Sequence, residues 1–310
     1  MSRIRPFLLV PVLGAAAALA LAGCSSASTS SASDDATITV VASTDVYGQI
    51  AETVGGDHVE VTSLISSYSQ DPHDYEASAA DQLTVKNAQL LIENGGGYDP
   101  FIDSLAEAAG SSAPVIYAVE SSSEWTGDDP ADAVEGFNEH VFYDPTTIAK
   151  VAEEIATQLG AIDPDDAEVF TANAAQFADD LDSSVQPILD EIAASYSGDE
   201  IFVTEPVPLY LAEAGGLVNV TPSEFSEAVE EGDDVAPATL LEATDLIGSG
   251  DVKIVFVNAQ AAGAETTTVE DAASAAGVPV IKASELLPDG DTYVSWMTDM
   301  ATQIKDALAQ

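Results

Sequence analysis

From Thr37 onward, short runs of β-branched and aliphatic residues alternate with stretches in which apolar positions return every three or four residues. The runs Ile38–Val41, Val59–Leu64, Leu90–Ile92 and Val115–Tyr117 predict strands, and Tyr47–Val54, Ala79–Val85, Phe101–Ala109 and Pro145–Leu159 predict helices. Such alternation argues for βαβ units on a parallel sheet, because parallel neighbours need a crossover and a helix is its usual form. The same pattern resumes near residue 198. Strands are expected at Ile201–Thr204, Leu217–Val220, Val252–Val257 and Val278–Ile281, with helices at Leu209–Ala214, Pro237–Ile247, Val269–Ala276 and Tyr293–Leu308.

Between the two blocks, residues 165–196 offer no strand. Phe170, Phe177, Leu181, Val185, Ile188 and Ile192 fall on one helical face. A continuous helix there would run about 48 Å at about 1.5 Å per residue, with Pro187 the place where it kinks. That is too long for a crossover and suits a spine. The expected fold is α/β: two lobes with parallel sheets, bridged by one long rigid helix, with the functional site in the cleft between lobes. The corresponding boundaries are an N-terminal lobe at 37–162, a linking helix at 163–197 and a C-terminal lobe at 198–310.

The first 36 residues follow another logic. Arg3 and Arg5 precede an apolar run from Phe7 to Ala22, which ends in Leu21-Ala22-Gly23-Cys24. A positive start, an apolar middle and small residues before a cut describe a secretory signal peptide at 1–23. The run is shorter than the roughly 20 residues a membrane span needs. Cys24 is the only cysteine in the chain, so no internal disulfide can form. "LAGC" resembles the bacterial lipobox, which implies cleavage before Cys24 and acylation of that residue. Residues 24–36, rich in Ser and Ala, then read as a flexible tether between anchor and body.

Charge narrows the range of partners. The chain carries 54 acidic and 7 basic side chains, for a formal net charge of −47. Phosphate backbones require clustered Lys and Arg, so nucleic acid is excluded, and an anionic membrane surface would repel the folded part. A field of this sign concentrates cations. No GxxxxGK[ST] loop for ATP and no HExxH motif is present.

The chain has only three histidines. His58 reads as a surface residue, but His73 in "DPHDYE" and His140 in "EHVFYDP" share a setting of acids and an aromatic. Ligands of parallel α/β sheets bind beyond the carboxyl ends of strands. His73 follows the strand at 59–64, His140 precedes the helix opening at Pro145, Glu205 follows "IFVT", and Glu285 follows "VPVIKA". Two neutral imidazoles and two carboxylates balance one divalent cation, and nitrogen and oxygen donors without thiolate suit Zn²⁺ or Mn²⁺. Asp71, Asp74 and Asp144 are placed to hold the far ring nitrogens. Asp71, Asp74, Asp289 and Asp291 also compete with Glu285 for the fourth position.

At these residues the sequence resembles the cluster A-I metal-binding lipoproteins of zinc and manganese ABC importers. The likeness rests on "GGDHVEVTSLI" (55–65), "DPHDYE" (71–76), "HVFYDP" (140–145), "TEPVPLYLAEAGGL" (204–217) and "GDTYVSWM" (290–297). It implies His73, His140 and Glu205 as the first three ligands. The fourth is usually Asp in that family, where "ASELLPDGDTY" offers Glu285. It also implies two α/β lobes bridged by a long helix and a monomeric extracellular carrier of one Zn²⁺ or Mn²⁺ ion. Its partners would be a membrane permease and an ATPase subunit. Many zinc members carry a His-rich loop between the first two ligands. Here that stretch is acidic and His-free, which leans to manganese or to a zinc protein without the loop. The alternatives are an exported zinc-dependent hydrolase, which would need an open metal position for water, and a surface adhesin stabilised by its metal.

Overall fold

Two four-stranded parallel sheets carry the chain, ordered β2-β1-β3-β4 and β6-β5-β7-β8. The computed structural model describes residues 37–310 except 69, 71, 74 and 262. The proposed signal peptide, Cys24 and the tether therefore lie outside the described residues, as do Asp71 and Asp74. The first sheet is built from β1 (Ile38–Thr44), β2 (Val59–Ile65), β3 (Leu90–Glu93) and β4 (Val115–Tyr117), joined by α1 (Asp45–Gly55), α2 (Ala79–Asn87) and α3 (Phe101–Ala109). Then come α4 (Pro145–Ile162), α5 (Ala167–Ser184) and α6 (Gln186–Tyr196). The second sheet follows, with β5 (Glu200–Val203), α7 (Leu209–Ala214), β6 (Val218–Asn219), α8 (Ser223–Glu230), α9 (Pro237–Gly248), β7 (Val252–Asn258), α10 (Ala264–Ala276), β8 (Val280–Ala283) and α11 (Tyr293–Leu308).

Side-chain alternation decides what covers each sheet. On β1, Ile38, Val40 and Ala42 enter the largest core cluster, whereas Val41 joins Val85, Ile102 and Leu105 of α2 and α3 on the other face. On β7, Ile254 and Phe256 enter the large cluster, and Val255 and Val257 pack with Phe225, Ala243 and Val269 of α8, α9 and α10. The large cluster is continuous across both sheets. It holds Ile50 of α1, Ile155 of α4, Phe177 of α5, Ile192 of α6, Phe256 of β7 and Met297 of α11. Residues 36–310 accordingly form one compact unit.

The bridge is two consecutive helices rather than one. α5 closes at Ser184, Val185 keeps helical angles (φ −95°, ψ −49°), and α6 opens at Gln186 with Pro187 in its first turn. Proline has no N–H to give to the carbonyl four residues back, so the ladder is interrupted where the sequence placed a kink. The bridge also starts at Ala167, because α4 continues to Ile162. α8 was not expected at all, and α10 begins five residues earlier than its apolar spacing suggested. No helix among the described residues is long and apolar enough to cross a membrane.

Candidate metal centre

Each sheet changes direction at its second strand: β1 runs to β2 on one side and, through α2, to β3 on the other. Crevices open at the carboxyl ends beside such switch points. The loop after β2 carries His73, β3 ends in Glu93 with Asn94 next, and the long segment after β4 carries Asn138, Glu139 and His140. From the second sheet, Glu205 follows β5 by two residues, Asn258 ends β7, and Glu285 lies two residues past β8. The turn after β3 needs glycine. Gly95 has φ +76°, and a Cβ there would sit 2.5 Å from the Pro130 carbonyl oxygen.

His140 is fully buried. Its Nδ1 lies 2.8 Å from Asn138 Oδ1, and its own backbone N–H donates to that oxygen at 3.1 Å. Asn138 Nδ2 donates to the Pro206 carbonyl, and Tyr210 Oη donates to the Asn138 carbonyl. These bonds fix which end of the amide is oxygen, so Nδ1 must carry the ring proton and Nε2 presents its lone pair to the cleft. Burial, with His73 nearby, holds the His140 ring well below the usual histidine range and keeps it neutral. Nε2 is buried without a hydrogen bond.

Around that nitrogen lie oxygens. Glu285 Oε2 is 4.0 Å from His140 Nε2 and 3.6 Å from His73 Nε2, and Glu230 Oε1 is 3.9 Å from His140 Nε2. Asn258 Nδ2 donates to Glu205 Oε2 at 2.6 Å and to Glu285 Oε1 at 2.7 Å, so one amide sets both carboxylates. Single donor atoms of His73, His140 and Glu230 all fall within 4.8 Å of one another. Glu205 and Glu285 are buried, whereas His73 is exposed at the rim. The edge of Tyr98 meets His73 at 5.0 Å between ring centroids, closing one wall.

Carboxylates this close resist ionising without a cation. Burial, then repulsion from Glu139, Glu205 and Glu285, pushes the Glu230 carboxyl up to about 9. Burial raises Glu139 too, and burial with the facing Glu285 carries the Tyr98 phenol well above its usual range. Outward, the cleft widens into an opening of about 890 Å³ that Glu139, Glu231, Asp233, Asp234 and Glu265 help line. A divalent cation arriving there would displace protons and satisfy the converging oxygens.

The four expected donors thus come from loops of both sheets, with Glu285 within about 4 Å of both His73 and His140, and Glu205 tied to Glu285 through Asn258. Asp144 does not hold an imidazole. Its carboxylate caps α4, taking the Thr146 N–H at 2.9 Å and the Thr147 hydroxyl, and Asn138 occupies the role expected of it. Asp289 is exposed, and Asp291 accepts from Ser295 at the start of α11. His58 pairs with Asp166 at 2.9 Å and stacks edge-on against Phe170, away from this cleft. Sequence reasoning missed Asn138, Asn258 and Glu230. For the two asparagines the available signal was their position, two residues before a histidine and at a strand's carboxyl end.

Residues 40–307 match the family described as zinc-uptake complex component A, periplasmic (ZnuA). The manganese-binding lipoprotein MntA of Halalkalibacterium halodurans is 26% identical over 302 residues, spanning 94% of this chain and 96% of its own. The manganese ABC transporter substrate-binding lipoprotein PsaA of Streptococcus pneumoniae serotype 4 is 24% identical, over 87% of this chain and 89% of its own. Among solved structures, a crystal structure of ZnuA superposes with a TM-score of 0.72 at 22% identity, covering 88% of this chain and 99% of that one. The likeness to that structure is one of fold.

Proposed function

We infer that this chain, which belongs to the family of the periplasmic component A of zinc-uptake complexes, captures one Zn²⁺ or Mn²⁺ ion outside the cell membrane and delivers it to an ABC permease. The observation that carries this reading is the buried lone pair of His140 Nε2, held in one tautomer and facing carboxylates in place of a hydrogen-bond donor. His73, His140, Glu205 and Glu285 supply two neutral imidazoles and two carboxylates, whose charge offsets a divalent ion taken out of water. The ion is cargo and no bond is made or broken, so the protein acts as a carrier and not as an enzyme. Transport itself belongs to a permease and its ATPase subunit. The names of MntA and PsaA, both lipoproteins, support an exported protein held at the outer face of the membrane, here through acylated Cys24 and the tether at 24–36 and acting as a monomer in our reading. Within the body, 37–162 and 198–310 act as the two lobes and 163–197 as their link.

Release follows from movement of the ligand loops. The test is metal analysis of the purified protein, followed by calorimetric titration with ZnCl₂ and MnCl₂. His73→Ala and His140→Ala lower affinity by orders of magnitude, whereas His58→Ala leaves it unchanged. Equal losses in all three variants would overturn the assignment. Binding also weakens as the medium is acidified, because a protonated imidazole cannot ligate.

A further inference from the structure

We propose that Glu230 is a fifth donor to the captured ion and that it shifts this site's preference from Zn²⁺ toward Mn²⁺. The inference rests on the metal-capture reading above. Its first support is position. Glu230 Oε1 stands 3.9 Å from His140 Nε2, about as far as Glu285 Oε2 at 4.0 Å, so both oxygens are set to reach one ion bound at that nitrogen. One donor atom each from His73, His140 and Glu230 lies within 4.8 Å of the others, a grouping that fits around a single cation. His140 Nε2, fully buried and without a hydrogen bond, is aimed into the same space.

The second support is the poor electrostatic setting of Glu230 in the absence of a cation. It is the last residue of α8, with Glu231 next to it. The carbonyl end of a helix carries partial negative charge, and a carboxylate there is disfavoured. Glu230 Oε1 is buried without a hydrogen bond, and among the described residues no lysine or arginine pairs with this side chain. An anion placed at the wrong end of a helix and turned inward toward other carboxylates lacks its counter-charge. A divalent ion at His140 would supply it.

The third support is chemical. Zinc is satisfied by four donors. A third carboxylate beside two imidazoles raises the share of hard oxygen donors and the coordination number, both of which favour Mn²⁺ relative to Zn²⁺. Intrinsic affinity still runs in zinc's favour, so the effect is on the ratio.

The experiment uses the whole chain and its Glu230→Gln and His140→Ala variants, titrated with MnCl₂ and with ZnCl₂ in competition with a chromogenic chelator. X-ray absorption at each metal edge counts the nitrogen and oxygen ligands. In Glu230→Gln, Mn²⁺ affinity is expected to fall 10- to 100-fold and Zn²⁺ affinity less than 3-fold, with one ligand fewer around manganese. Circular dichroism of that variant should match the parent chain. Unchanged affinity for both ions, or equal losses for both, overturns the assignment of Glu230 while the His140→Ala loss leaves the capture reading standing. If His140→Ala retains full affinity for both ions, the capture reading fails and this inference with it.

Discussion

Asn258→Ala removes a side chain that fixes two of the proposed ligands together. Its Nδ2 holds Glu205 Oε2 at 2.6 Å and Glu285 Oε1 at 2.7 Å, so the two oxygens lie within about 5 Å of each other. At that distance, and at an effective dielectric constant of about 20, two ionised carboxylates repel by about 3 kcal/mol. Two hydrogen bonds to charged acceptors contribute about 1.5–3 kcal/mol each, enough to offset that repulsion and hold the pair converged. Without the amide the carboxylates can splay, and a bound ion must draw them back. Loss of a group that orients ligands in this way typically lowers metal affinity 10- to 100-fold, or about 1.4–2.7 kcal/mol. Chelator competition with Zn²⁺ and Mn²⁺ measures it, and circular dichroism checks that the fold persists. An Asn258→Ala protein that binds either ion within twofold of the parent chain would refute the claim that this amide organises the cage.

Asn138→Ala frees the His140 ring to rotate and to change tautomer, so metal affinity should again fall 10- to 100-fold with little change in thermal stability; titration and melting curves separate the two. Tyr143→Phe takes away a hydroxyl that donates to the Ser284 carbonyl at 2.9 Å and accepts the Ser284 N–H at 3.0 Å. Two buried backbone groups then lack a partner, which destabilises by about 1–3 kcal/mol and lowers Tm by several degrees; an unchanged Tm would refute it. The metal-free protein should melt at higher temperature at pH 5.5 than at pH 8. Burial chiefly raises Glu93 to about 10, Glu230 to about 9, and Asp45 and Asp99 to about 6, so the folded state holds more protons than the unfolded one and loses stability as pH rises through these ranges. His140 acts in the opposite sense, because its depressed value lets the unfolded chain take a proton first below about 6.5, but it is one group against four. A Tm that climbs steadily from pH 5.5 to 8 without metal would contradict this balance.

The inner strands β1, β3, β5 and β7 were legible because they are buried on both faces and read as apolar runs. α8 was not legible. Only Phe225 of its eight residues is buried, so it shows no apolar stripe. Glu230 was hidden for the same reason and because any one of 54 acids carries little information. The histidines stood out by scarcity, and the strand-end rule selected Glu285 over Asp289 and Asp291, which lie further along the same loop. Asp144 was misread although the signal was present. An Asp directly before a Pro and two Thr is the signature of a helix N-cap with proline at the first position, and the capping bond took the carboxylate that had been assigned to an imidazole. Asn138 and Asn258 belong to no motif, and their roles exist only once separate loops have been brought together.

The apolar cluster that runs unbroken through both sheets limits how the carrier can report its cargo. Swinging the halves apart would tear the core that folds them, so filled and empty copies present nearly the same outline. A permease that recognised outline alone would bind both equally, and equal affinity for two states shifts nothing. What distinguishes them must be written in the few loops at the mouth, around His73 and the end of α8. Empty copies then become competitors at the dock: overproducing the carrier without metal should slow uptake, and the size of that slowing would measure how much of the recognition those loops carry.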